Sequence, residues 1–289
     1  MENPVIALLT DFGDDDFFVA SMKGVIAGIN PTARIIDITH HIPSYDILAG
    51  GFVLFAAYSC FPRGTIFLAV VDPGVGTARK ICLVETEMHF FIAPDNGLLS
   101  LILDKDEVVT AREITNEAYF LPYCSQTFEA RDKMAPAAAW LSKGEPSEKF
   151  GPEMPSIHRE RMAKPEVKGE IVIGSIIYCD KFGNLITNIP AVYLDQIVQE
   201  PQEEKVSVFL DCLYQENQLS PKPATYELVY RKTYGGARKG ELLILPGSLG
   251  LLELAVREGS AADLIRVKPG TRLTVSRKPC RERDDGSDD

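Results

Sequence analysis

An aspartate and an arginine separated by a glycine-rich turn form the chain's strongest chemical signature: Val70-Val71-Asp72-Pro73-Gly74-Val75-Gly76-Thr77-Ala78-Arg79. The Gly-x-Gly in this stretch is half of a phosphate cradle. A dinucleotide loop opens a helix, whereas the residues that follow, Lys80 to Glu85, read as a strand. The phosphate reading fails there. What remains is a turn that returns Arg79 towards Asp72, where the two make a charge-assisted pair. That pair is either a structural clasp or a group that orients a reactant.

Four other stretches carry polar groups in places where they can act. Asp11 ends an apolar run in Leu9-Thr10-Asp11-Phe12-Gly13-Asp14-Asp15-Asp16. At the carboxyl end of a parallel strand such a carboxylate faces the ligand crevice and can accept both hydroxyls of a ribose. Its bland alternative is a helix-start charge, the reading preferred for Asp14 and Asp15. Thr127-Phe128-Glu129-Ala130-Arg131-Asp132-Lys133 crowds charges before an apolar helix, with Asp132 a candidate N-cap. Asp180-Lys181-Phe182-Gly183-Asn184 offers Phe182 to stack on a base and Asn184 to bond a polar group, or else is a hairpin turn. Gly247-Ser248-Leu249-Gly250 reads as a turn opening a helix, with backbone donors for a carboxylate.

The surrounding elements must position these groups. Val5 to Leu9, Arg34 to Thr39, Thr65 to Val71 and Lys80 to Glu85 read as strands. Phe17 to Ile29, Tyr45 to Phe61, Asn96 to Leu103 and Asp132 to Leu141 read as helices. The alternation implies a Rossmann-like α/β domain over residues 1–155 with a mostly parallel sheet. Prolines 152, 155 and 165 mark a linker. From 166 to 280 the runs Gly169 to Tyr178, Val206 to Leu213, Ala224 to Tyr230, Glu241 to Leu245 and Thr271 to Ser276 imply an antiparallel β-barrel. Residues 281–289 read as a disordered acidic tail.

Composition narrows the function classes. The chain has 289 residues and a net charge of −11. With no basic stripe, nucleic acid is not an expected partner. No apolar run reaches about 18 residues, so no membrane span is expected. Met1 to Leu9 lacks a basic n-region, so no secretory signal is expected and the chain reads as cytoplasmic. Of the six cysteines, Cys60, Cys82 and Cys179 lie in apolar runs and read as reduced core residues. His40-His41 has no partner at ligand spacing, so no metal is expected.

Taken together, the motifs resemble those of the S-adenosyl-L-methionine hydrolases, or hydroxide adenosyltransferases, which share a fold with the adenosyl fluorinases and chlorinases. The resemblance rests on TDFG at Thr10 to Gly13, MKGVI at Met22 to Ile26, DITH at Asp37 to His40 and VDPGVGTAR at Val71 to Arg79. It continues through APDNGLL at Ala93 to Leu99, FGNLITNI at Phe182 to Ile189 and GELL at Gly240 to Leu243. It implies an α/β domain followed by a β-barrel, and a homotrimer with sites at subunit interfaces. It implies Asp11 on the ribose diol, Asp16 and Ser248 at the methionine end, and Tyr45, Thr127, Phe182 and Asn184 around the substrate. Asp72 and Arg79 would be catalytic, with residue 129 the third member. There the family pattern resembles T-F-H-G-R-D, and this chain has Glu129 in place of histidine and Ala130 in place of glycine. Leu249 and Arg257 also replace more polar or amide residues.

The implied reaction is attack of water on the ribose C5′, in line with departure of neutral methionine, with no cofactor. Water is a weak nucleophile, so positioning and proton removal supply the rate. Asp72 fits an orienter that accepts the proton late. Glu129 is expected either to share Arg79 with Asp72 and act as the better base, or to turn away to Arg131 or Lys133. Two alternatives stay open. One is a catalytically weakened S-adenosyl-L-methionine-binding protein. The other is a halogenase, against which the Asp72 charge would repel a halide.

Overall fold

The computed structural model describes residues 4–160, 163–197, 205–213 and 222–276. The acidic end, 281–289, lies outside the described residues. The chain divides into two compact units, Met1–Arg161 and Met162–Asp289.

The first unit opens with β1 (Val5–Thr10), every residue of which is buried. Then come α1 (Phe17–Ile29), β2 (Arg34–Thr39), α2 (Ile47–Tyr58), β3 (Ile66–Val70), β4 (Ile81–Thr86), β5 (Phe90–Pro94), α3 (Ser100–Lys105), β6 (Val108–Glu113) and α4 (Ala135–Ser142). Val19, Met22 and Ile26 form the buried stripe of α1, at the spacing of a helix face. Full burial of a side chain such as Met22 contributes about 1.5–3 kcal/mol. Helix α2 lies close against the segment after β5 because Gly51 has no side chain: a Cβ there would sit 2.8 Å from the Leu98 carbonyl oxygen.

The sheet order is β2-β1-β3-β5-β4-β6. Pairs β1–β2, β1–β3 and β3–β5 are parallel, whereas β4 runs antiparallel to both β5 and β6. The sheet is therefore mixed, and only its first four strands have the expected parallel character. The unexpected strands β5 and β6 flank the reversed β4. That reversal has a chemical consequence: β4 starts at the edge of the sheet where the parallel strands end.

The second unit contains β7 (Glu166–Lys168), β8 (Ile171–Cys179), β9 (Leu185–Pro190), α5 (Val192–Ile197), β10 (Lys205–Leu213), β11 (Lys222–Tyr230), β12 (Leu242–Pro246), β13 (Leu251–Val256), α6 (Ala261–Ile265) and β14 (Arg272–Ser276). Its order is β14-β10-β11-β12-β13-β9-β8-β7, and pairing of β14 with β8 closes a seven-stranded barrel. One pair, β11–β12, is parallel, a departure from the expected all-antiparallel ring. The barrel core is aliphatic, built from residues such as Ile176, Leu194, Val208, Leu228, Leu254 and Leu273.

Three local expectations change. The Gly247–Gly250 turn leads into strand β13, not a helix, and so forms a hairpin with β12. Tyr45 does not start α2. It has φ 69°, and Asp46 caps the helix by accepting the Ala49 N–H. Cys60 is exposed just past the end of α2, whereas Cys82 is buried and Cys179 is intermediate. Among the described residues no helix is long and apolar enough to cross a membrane.

Candidate functional site

In the first unit the candidate residues gather where the parallel strands end. Asp11 follows β1, Asp72 follows β3, and Asn96 follows β5. The Asn96 side chain donates to the Val71 carbonyl at 2.8 Å, which ties the ends of β3 and β5 together. Arg79 stands just before β4. Because β4 runs opposite to the parallel strands, it delivers Arg79 to the same edge.

Asp72 and Arg79 meet. Arg79 Nε donates to Asp72 Oδ2 at 2.8 Å and to Oδ1 at 3.1 Å, and Nη2 lies 2.5 Å from Oδ2. Oδ1 also accepts the Gly74 N–H at 3.1 Å. The side chains are only 6% and 10% exposed, so the pair is shielded from solvent. Gly76 makes the turn possible. Its φ is +77°, and a Cβ would lie 2.7 Å from the Gln126 carbonyl oxygen. The approach of residue 126 to this loop is also what brings the next segment into place.

Glu129 joins the pair from that segment. Arg79 Nη2 donates to Glu129 Oε2, and Lys133 Nζ donates to Glu129 Oε1 at 2.6 Å. Asp72, Arg79, Glu129 and Lys133 thus alternate in charge and sum to zero. Both sequence expectations for Glu129 are partly met, since it binds Arg79 and Lys133 together. The raised-pKa base is not. Burial pushes the Glu129 carboxyl up, but Lys133 and Arg79 outweigh burial and hold it below the usual carboxylate range. The same contacts hold Arg79 charged: burial opposes its charge, and Asp72 and Glu129 more than compensate.

Two features position Glu129. The Phe128 ring packs edge-on to Phe18 at 5.1 Å and to Phe12 at 6.1 Å, so the β1–α1 connection and the first turn of α1 together hold the residue before Glu129. After Glu129 the backbone takes a widened π-type turn, Ala130–Met134, before α4 begins. Asp132 is not an N-cap. It is fully buried in that turn and accepts from Arg131 Nε at 2.6 Å and from the Ser125 N–H at 2.7 Å. Helix α4 in turn packs on α1, β1 and β3 through a run of buried alanines.

The remaining candidates of this unit lie around the same edge. Asp11 Oδ2 accepts the Tyr45 N–H at 2.9 Å, which holds Tyr45 in its left-handed conformation. Tyr45 and Asn96 line a cleft of ≈ 510 Å³ with Ser44, Asp46 and Glu160. Asp16 precedes α1 without a side-chain capping bond and is exposed. Asp14 pairs with His41 at 2.7 Å, not with the helix start. Thr127 is exposed and shares a 2.9 Å hydrogen bond with Ser125.

In the second unit Phe182 and Asn184 stand together in the β8–β9 turn and line a cleft of ≈ 780 Å³ with Asp180, Tyr234, Arg257 and Ser260. Phe182 is exposed, whereas Asn184 is buried. Ser248 sits at the exposed tip of the β12–β13 hairpin and does not line this cleft. Sequence reasoning missed Tyr234 and Glu253. The Tyr234 hydroxyl donates to Glu253 at 2.7 Å, and burial pushes the Glu253 carboxyl up, opposed by that bond and reinforced by Asp180. Glu253 lies in an apolar strand, Leu251–Val256, where a lone carboxylate is the only signal that sequence offers.

Comparison with known proteins covers both units. Family models described as the SAM hydroxide adenosyltransferase N-terminal and C-terminal domains match residues 6–151 and 174–274. The (R)-S-adenosyl-L-methionine hydrolase of Salinispora arenicola is 35% identical over 276 residues, covering 94% of this chain and 98% of that protein. The protein of the same name from Thermus thermophilus is 33% identical over 272 residues, covering 92% of this chain and 96% of that one. The crystal structure of an uncharacterized conserved protein from Thermotoga maritima superposes with a TM-score of 0.85 at 37% identity, covering 94% of this chain and all of that one.

Proposed function

The chain belongs to the SAM hydroxide adenosyltransferase family, and from that premise we propose that it hydrolyses S-adenosyl-L-methionine to adenosine and L-methionine. The reaction forms a bond from water oxygen to C5′ and breaks the C5′–sulfur bond, with the electron pair passing to sulfur. The sulfonium leaves as a neutral thioether, so the leaving group calls for no metal or cofactor assistance.

The observation that carries this reading is the shielded Asp72–Arg79 pair at the ends of the parallel strands. Arg79 and the Gly74 N–H hold the Asp72 carboxylate in one orientation. Asp72 is assigned to orient the attacking water and take its proton as the C–O bond completes. A fixed carboxylate does this without reorganising at the moment of reaction. Glu129 is assigned to hold Arg79. Its carboxyl is kept ionised by Lys133 and Arg79, which makes it a poor base and a good clamp.

By motif match Asp11 takes the ribose diol, Asp16 and Ser248 the methionine end, and Tyr45, Thr127, Phe182 and Asn184 the remaining substrate surface. These residues come from both units. A homotrimer in which one subunit's first unit meets its neighbour's second unit would combine them, and sedimentation equilibrium tests it. We assign the enzyme to the cytoplasm.

Incubation with S-adenosyl-L-methionine in oxygen-18 water tests the reaction. The expected result is label in the 5′ hydroxyl of adenosine. A 5′-halo product, or tight binding without turnover, would overturn it.

A further inference from the structure

The carboxylate of Asp180, at the end of β8, has three hydrogen bonds to the turn that follows. Oδ1 accepts the Phe182 and Asn184 backbone N–H groups, each at 2.9 Å. Oδ2 accepts Asn184 Nδ2, also at 2.9 Å. An ionised carboxylate only accepts, so the end of the Asn184 amide that faces it must be the NH₂. The amide carbonyl is therefore turned away from Asp180, and it has no hydrogen-bond partner among the described residues. Asn184 is 7% exposed, yet it lines the ≈ 780 Å³ cleft beside Phe182. An asparagine alone is two-fold ambiguous, presenting either an acceptor or a donor to a ligand. Asp180 removes that ambiguity.

We propose that Asp180 is a specificity-determining positioning residue: by holding the Asn184 amide in one orientation, it makes the cleft select a purine carrying a 6-amino group over one carrying a 6-oxo group. The proposal rests on the reading that Phe182 and Asn184 receive the adenosyl base. The fixed amide offers a free carbonyl and the second Nδ2 hydrogen side by side. That pair matches the N6–H donor and N7 acceptor of adenine. A 6-oxopurine presents two acceptors there, so its O6 would face the Asn184 carbonyl and leave both buried oxygens unpaired.

Asp180→Asn tests this. The asparagine oxygen can keep the two backbone N–H bonds, which leaves its NH₂ facing Asn184. The Asn184 amide must then turn its carbonyl to residue 180 and its NH₂ to the ligand. The assay compares kcat/KM for S-adenosyl-L-methionine and its 6-oxo analogue, S-inosyl-L-methionine. Wild type is expected to prefer the amino compound, and D180N to move the ratio towards the oxo compound by about 10- to 100-fold.

In an Asn184→Ala background the Asp180→Asn change should leave the ratio unmoved, because no amide remains to turn. A folded D180N that weakens both substrates equally would overturn the proposal and reduce Asp180 to a structural part of the turn. If D180N does not fold, Asp180→Ser carries the same comparison and is expected to move the ratio towards one. If wild type cleaves neither compound, the proposed hydrolysis fails, and calorimetric binding of adenosine against inosine decides the Asp180 inference on its own.

Discussion

In Glu129→Gln the side chain keeps its length and an acceptor oxygen but loses its charge. Two bonds are affected, from Arg79 and from Lys133. Glutamine has one acceptor oxygen for these two donors: turned to Arg79, it keeps a bond weaker by roughly 1–1.5 kcal/mol for want of its own charge, and its NH₂ then faces Lys133, whose bond is lost. Lys133 is partly exposed and water replaces much of its loss. The bond to Arg79 is shielded, and its weakening loosens the group that holds Asp72. If that loosening is felt fully in the transition state, kcat falls about tenfold. Loss of a general base would instead cost about 10²- to 10⁴-fold. Steady-state kinetics therefore separate the roles. A fall near tenfold with an unchanged pH profile supports the clamp. A fall beyond about a hundredfold, with loss of a carboxylate limb from the pH profile, would refute it and restore Glu129 as the base. The same variant has a stability signature. The folded protein holds Glu129 below its ordinary value of 4.5. Its stabilisation is present above that value and is lost as pH falls through the lower folded value. E129Q lacks this component, so its acid-unfolding curve should be less steep in that range.

Asp132→Asn places an NH₂ against Arg131 and the Ser125 N–H in a fully buried position. It should destabilise the first unit by roughly 3 kcal/mol in chemical denaturation, and loss of less than about 1 kcal/mol would contradict the buried pairing. Gly76→Ala forces a left-handed alanine towards the Gln126 carbonyl. The conformation alone costs about 1–2 kcal/mol, so a lowered Tm with reduced kcat is expected, and wild-type values would exclude the turn as the reason for the glycine. Glu253→Gln acts with the opposite sign to Glu129. Glu253 is held above its ordinary 4.5, so its favourable contribution is present below that value and is lost as pH rises through the raised one. The Tm of E253Q should therefore depend less on pH between acid and neutrality. An unchanged slope would show that burial of this carboxylate has no energetic consequence.

Much of the fold is legible in local pattern. The apolar periodicity of α1 and the continuous apolar runs of β1 and β3 each specify an element, because the helix buries one face and these strands are buried throughout. Strands β5 and β6 are less legible. Their residues read equally as loop, and they become strands by pairing with β4. The hairpin at Ser248 shows the same limit. A Gly-Ser-Leu-Gly turn precedes helices and strands alike, and only the pairing of β13 with β12 decides between them.

The site divides the same way. The residues of the Asp72–Arg79 loop, and their meeting across a glycine turn, follow from the sequence, because the turn chemistry and the charges are local. The sequence also shows a carboxylate at position 129 and a lysine one helical turn later. It leaves open whether that carboxylate is a raised base, a clamp or a solvated charge, since the answer depends on what surrounds it. The reversed strand β4 carries Arg79 to the edge where β3 ends, and the Phe12, Phe18 and Phe128 packing sets Glu129 beside it. With Arg79 and Lys133 both on it, the Glu129 carboxyl is held low despite its burial. Charge type is a property of sequence, but protonation depends on distance and burial, and the tertiary structure supplies both.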